Sequence, residues 1–203
     1  YAWQSVYLGI AFGLIGLAMT PLVPWLVTKI GHEPRVQAAE IAYLRIAMLT
    51  VAPTIAADGL GWFFVGVHRP WVTAWTAIEA NVVNIAVAWV LIFGKLGFAP
   101  MGIAGAAAGT LAAVIYRMFR LALAMWLPSA AAAFATRTTW RPSRRRLASL
   151  LRVGMPCGVQ WLTEVVVWAI FVNVLVGAKF GTAHLIATNI GWKYMRIAIM
   201  PTI

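Results

Sequence analysis

Residues 153–178 read VGMPCGVQWLTEVVVWAIFVNVLVGA, an apolar run broken by a single charge, Glu164. A run of that length leaves a chain few options. About 20 apolar residues in helical form span the hydrocarbon core of a bilayer, and within that core each backbone N–H and C=O must be bonded inside the protein. Similar runs recur along the 203 residues. Composition agrees: 63% of the chain is hydrophobic and 10% charged, against about 25% charged in soluble domains. The expected fold is an all-α, polytopic membrane helix bundle of about six transmembrane helices.

The spans are expected at roughly 6–28, 42–66, 71–94, 102–127, 150–178 and 184–203. Pro21 and Pro24 mark the end of the first, Pro53 interrupts the second, and Pro156 and Pro201 fall in the last two. Each internal proline frees a backbone carbonyl and favours a kink. Trp25, Trp71, Trp75, Trp126 and Trp140 lie near helix ends and fit an interfacial aromatic belt. Gly9 and Gly13, Gly105 and Gly109, and Gly154 and Gly158 form GxxxG pairs that let helix backbones approach closely.

Connections are short apart from 128–149. That loop carries Arg137, Arg141, Arg144, Arg145 and Arg146 and no acid, so positive-inside bias assigns it to the cytoplasm. It also marks a boundary between two structural units, 1–127 with four expected spans and 150–203 with two. The predicted location is a plasma (inner) membrane, crossed several times. The net charge of +11, from 16 Lys and Arg against 5 Asp and Glu, is explained by loops and helix ends. Removing the spans leaves no folded basic surface for nucleic acid. The single cysteine, Cys157, permits no intrachain disulfide. His32, His68 and His184 lack metal-ligand spacing, and no nucleophile elbow or phosphate-binding loop occurs, so the chain is not read as an enzyme. The first residue is Tyr1 rather than Met, and the last residues fall inside an apolar segment. Both ends read as those of a piece of a longer protein.

A carboxylate at mid-span costs roughly 2.5–3.5 kcal/mol on insertion scales, so Glu164 is a candidate ion or substrate site. Helical phase puts Cys157, Gln160, Trp161, Glu164, Trp168 and Phe171 on one face, opposite Val159, Leu162, Val166 and Ile170. Trp161 and Trp168 flank the acid at i−3 and i+4. Two indoles beside a carboxylate suit an organic cation, although tryptophans also simply fill helix interfaces. Asn81 and Asn84 share a face of the third span, as helix glue or as the lining of a polar cavity. Asp58 is either a second functional acid or the partner of a basic side chain. Glu79 faces elsewhere. Arg117 and Arg120 are expected to snorkel or to pair with an acid, and Lys193 and Arg196 pose the same question.

The stretches AYLRIAMLTVAP at 42–53, GWFFVGVHRPW at 61–71, NVVNIAVAWVLIFGKLGFAPMGIAGAAAGT at 81–110 and LLRVGMPCGVQWLTE at 150–164 follow a familiar order. Together they resemble the MATE family of multidrug and toxic compound extrusion antiporters. The resemblance implies a twelve-helix fold of two six-helix lobes, of which this chain corresponds to helices three to eight: 1–127 as a partial N-terminal lobe, 128–149 as the inter-lobe loop and 150–203 as the start of the C-terminal lobe. It also implies that GxPxGxQxxxE at 154–164 is the seventh-helix motif, with Glu164 in cation coupling or substrate binding. Asn81 and Asn84 match the paired asparagines of the fifth helix. The sequence departs from the pattern at Ala88, where many members carry an aspartate, and at Thr188-Asn189, where many read His-Gln.

Three functions follow as expectations. The first is secondary active antiport, with an amphipathic, cationic solute exported in exchange for H⁺ or Na⁺ and no bound cofactor. Its partners are the bilayer, the solute and the rest of the transporter fold. The second is a flippase of lipid-linked or polysaccharide precursors, which Arg45, Arg117 and Lys193 keep open. The third is a non-transporting scaffold or subunit.

Overall fold

The computed structural model describes residues 1–30, 33–127 and 140–172, with isolated positions between 133 and 136 and between 184 and 195. Every regular element among them is a helix. They are α1 (Ala2–Met19), α2 (Val23–Ile30), α3 (Pro34–Gly66), α4 (Pro70–Phe93), α5 (Ile103–Trp126) and α6 (Arg144–Ile170). A single 3₁₀ turn, Thr20–Leu22, joins α1 to α2, where Pro21 and Pro24 lack the N–H groups a continuous α-helix needs.

Five segments among the described residues are long and apolar enough to cross a membrane: Ala2–Lys29, Pro34–Gly66, Pro70–Phe93, Ile103–Trp126 and Arg144–Ile170. They correspond to the first five expected spans. The sixth, 184–203, lies largely outside the described residues. Two helices begin earlier than hydropathy suggests: α3 at Pro34 rather than 42, and α6 at Arg144, inside the stretch expected as loop 128–149. At 1.5 Å per residue, the 33 residues of α3 reach about 50 Å, well beyond a hydrocarbon core of about 30 Å. Hydropathy registers only the part that lipid covers, so charged turns continuing past it are read as loop.

The chain forms two compact units, Tyr1–Leu147 and Ala148–Ile203. In the first, α3 is the central element and packs against α1, α4 and α5. Small residues set the closest approaches. A Cβ on Gly9 would lie 2.7 Å from the Ala52 carbonyl oxygen, and one on Gly13 would meet the Ala52 methyl. On the α4–α5 hairpin, a Cβ on Gly109 would lie 2.7 Å from Ala88 Cβ. The turn into that hairpin needs Gly94, at φ +66°, as the left-handed cap of α4. Gly154 and Gly158 face open space among the described residues.

The tightest core lies at one end of the unit. Ala2 of α1, Ala57, Leu60 and Phe64 of α3, and Leu121 and Met125 of α5 bury one another there. The 67–70 turn and the start of α6 belong to the same end, because α3 and α5 run towards it and α1 and α4 run away from it. Outward faces stay apolar, with Leu14, Trp62, Val82 and Ile85 all well exposed. That is the arrangement of a bundle whose surroundings are lipid.

Candidate ion and solute site

Polar groups inside the first unit are concentrated on the seams of α5. Arg117 Nη1 donates to Asp58 Oδ1 of α3 at 2.9 Å. One turn further on, Arg120 grips Glu79 of α4 with two bonds, Nε to Oε2 at 2.9 Å and Nη2 to Oε1 at 3.1 Å. The Tyr116 hydroxyl donates to the same Oε2 at 2.9 Å. Forked guanidinium–carboxylate bonding is the strong form of this interaction. Both arginines have therefore met acids, and Asp58 is the partner of a basic side chain.

Next to these pairs is a cavity of about 220 Å³ between α4 and α5, lined by Asn81, Asn84, Thr110, Arg117 and small apolar side chains. Asn84 Nδ2 donates to Thr110 Oγ1 at 3.3 Å, and that hydroxyl donates back to the Ala106 carbonyl at 3.2 Å. Asn81 Nδ2 donates to the Ala77 carbonyl one turn earlier, at 3.0 Å. The carbonyl oxygen of each amide accepts no hydrogen bond among the described residues. Arg117 Nε is buried without a hydrogen-bond partner among the described residues. Ala88, four residues beyond Asn84, abuts Gly109 in the seam.

In the second unit the expected site residues lie on α6. Gln160, Trp161 and Glu164 are exposed within it, and Trp168 is half-buried. Trp168 stacks on Trp192 at 4.1 Å and tilts against Phe171 at 5.5 Å. Trp161 is 65% exposed. The two flanking indoles therefore differ: one is used in packing within its unit, and the other is exposed among the described residues. Glu164 has no ion-pair partner among the described residues. No group of three or more His, Cys, Asp or Glu able to hold a metal ion occurs among them either.

Sequence reasoning missed Tyr116, Thr110 and the Glu79–Arg120 pairing. The expectation that Arg120 snorkels or pairs with an acid left the partner unnamed, although Glu79 was one of the few acids in the chain.

The resemblance is to the MATE family. The chain is 29% identical over 202 residues to the probable multidrug resistance protein NorM of Rhizobium meliloti, a match covering 97% of this chain and 43% of that protein. It is 28% identical to the protein of the same name from Agrobacterium fabrum, covering 97% and 42%. For that of Geobacillus kaustophilus the identity is 29%, covering 92% and 41%. The chain thus spans about two fifths of the length of the NorM relatives it matches. No family model matches it, and no solved structure does.

Proposed function

We propose that the chain is part of a secondary active multidrug exporter. In this reading an amphipathic, cationic solute leaves the cell in exchange for H⁺ or Na⁺, and the chain sits in the inner membrane with the basic 128–149 segment in the cytoplasm. The observation that carries the proposal is the similarity to NorM multidrug resistance proteins along 97% of the chain, reinforced by the accounting of acids within it. Asp58 and Glu79 are held by arginines, whereas Glu164 has no such partner among the described residues. A carboxylate of that kind on a membrane helix takes up a proton or a cation, one at a time. Mutual exclusion at one group suffices to couple two fluxes. Such a one-for-one exchange of monovalent cations moves no net charge, so the concentration gradient of H⁺ or Na⁺, rather than the membrane potential, sets the solute ratio it can sustain.

Gln160 and Trp161 stand beside Glu164 as solute ligands, with Trp168 bracing the stripe. Asn81, Asn84 and Asp58 are assigned to a second, weaker polar station in the first unit. The Asp58–Arg117 pair works against the flippase reading, because a guanidinium already neutralised by a carboxylate has less to offer a phosphate.

The test is Glu164→Gln in the gene product as the cell encodes it, expressed in a drug-sensitive host. The variant should insert normally but no longer drive export of a fluorescent organic cation down an imposed H⁺ or Na⁺ gradient. Full gradient-driven export by the variant would refute the assignment. Transport of a lipid-linked oligosaccharide and not of the organic cation would favour the flippase.

A further inference from the structure

The first turns of α1 hold the segment that leads into α6. Gln4, with no exposed surface, donates from Nε2 to the Arg141 carbonyl at 3.0 Å and accepts the Ser143 N–H at Oε1 at 2.9 Å. One amide therefore grips the backbone on both sides of Pro142. The Tyr7 hydroxyl donates to the Trp140 carbonyl at 2.6 Å. The Trp3 indole donates to the Thr136 carbonyl at 2.8 Å, and the Thr136 hydroxyl donates to the Met125 carbonyl at 2.6 Å, near the end of α5. Side chains of three consecutive contact positions on α1 are thus used to fix the backbone of a connection.

The side chains that this connection presents are strongly basic. Arg141, Arg144 and Arg145 are exposed and Arg146 is half-buried. None of the four pairs with an acid among the described residues, and no Asp or Glu occurs anywhere between positions 79 and 164. The two arginines of α5 are neutralised, so this cluster dominates the charge at its end of the bundle. Trp140 and Trp126, both about half exposed, accompany it, and indoles settle at headgroup depth.

Positive-inside bias accounts for arginines in a loop but not for a loop backbone held by a buried amide, since orientation depends only on the charge being there. Immobilisation has a different consequence: a pre-ordered set of guanidinium groups loses less entropy when it binds. Guanidinium forks match the oxygens of a phosphate, and clusters of basic residues immediately beside a membrane helix recruit anionic lipid. We propose that residues 140–146 form a pre-built site for the phosphate of an anionic phospholipid, held in place by Trp3, Gln4 and Tyr7.

The experiment is lipid competition on the purified gene product, reading retained lipid by native mass spectrometry from micelles containing equal phosphatidylglycerol and phosphatidylcholine of matched chains. The wild type should retain phosphatidylglycerol preferentially. The triple variant Arg141→Gln/Arg144→Gln/Arg145→Gln should lose that preference by up to about a hundred-fold, at roughly five-fold for each arginine near an anionic surface. The matched variant with lysine at all three positions keeps the charge and the orientation signal but not the guanidinium forks, and should insert normally while retaining only part of the preference. Equal preference in the glutamine variant, or none in the wild type, would overturn the proposal. Displacement of the lipid by millimolar glycerol phosphate would also overturn it, in favour of a soluble phosphate.

Discussion

Placing an alanine at Gly13 tests the packing of α1 on α3 most directly. The added Cβ would meet the Ala52 methyl first, with Ala52 Cα at 3.1 Å and Ala52 N at 3.3 Å behind it. Overpacking of this kind costs about 1–3 kcal/mol, while replacing a mid-helix glycine returns roughly 0.5–1 kcal/mol. Gly13→Ala should therefore destabilise by about 0.5–2 kcal/mol, a drop of a few degrees in apparent Tm for a chain of this size. Ala52→Gly alone should cost about 1 kcal/mol through helix propensity. In the double variant the methyl in the way is gone, and only contacts slightly tighter than normal remain. The two changes should consequently be less harmful together than their sum, with a coupling of about 1 kcal/mol. The Gly109 seam is the contrast: a Cβ there meets Ala88 Cα and N, both at 2.9 Å, as well as the methyl, so Ala88→Gly should not rescue Gly109→Ala. Gly66→Ala, where nothing lies within 4 Å, should be neutral or mildly stabilising. The assay is the fraction of monodisperse protein surviving a heating series, read by size-exclusion chromatography. Additive losses in the Gly13/Ala52 pair would refute the close approach of α1 and α3.

Glu79→Gln or Arg120→Gln should each lower the yield of folded protein more than the double variant does, because each single change strands one charge in the bundle; equal or additive losses, measured by expression and melting, would argue that the pair contributes nothing. Gln4→Leu should leave the Arg141 carbonyl and the Ser143 N–H without partners, costing about 1–3 kcal/mol and speeding tryptic cleavage at Arg144 and Arg145. An unchanged cleavage rate would show that Gln4 does not hold the segment.

The fold was largely legible because lipid imposes a length and a polarity that a sequence displays directly. The first five spans needed no knowledge of neighbours. Their charged extensions were hidden for the same reason: Arg35 and Glu40 sit on a continuous α3, but an apolar window stops where the charges start. GxxxG spacing was legible as a motif and silent as a contact. Three pairs looked alike in sequence, and in the described structure the α1 and α5 pairs carry close approaches while Gly154 and Gly158 do not.

The site divides along a similar line. Helical phase says which residues share a face of one helix, and so it grouped Gln160, Trp161 and Glu164, and Asn81 with Asn84. It does not say which helix lies opposite. Asp58 and Arg117 are 59 residues apart and Glu79 and Arg120 are 41 apart, so their pairing depends on how α3, α4 and α5 assemble. That pairing changes the status of the membrane acids. Before assembly Asp58, Glu79 and Glu164 are equivalent: three carboxylates, each costly in lipid. After it, two are neutralised by guanidinium groups that would otherwise be equally costly, and they serve to register α5 against its neighbours. An acid that holds an arginine must release it before accepting a proton or a cation, which makes it a poor coupling group. Glu164 has no such competitor among the described residues, so the exchange proposed above falls to α6 rather than to the better-packed first unit.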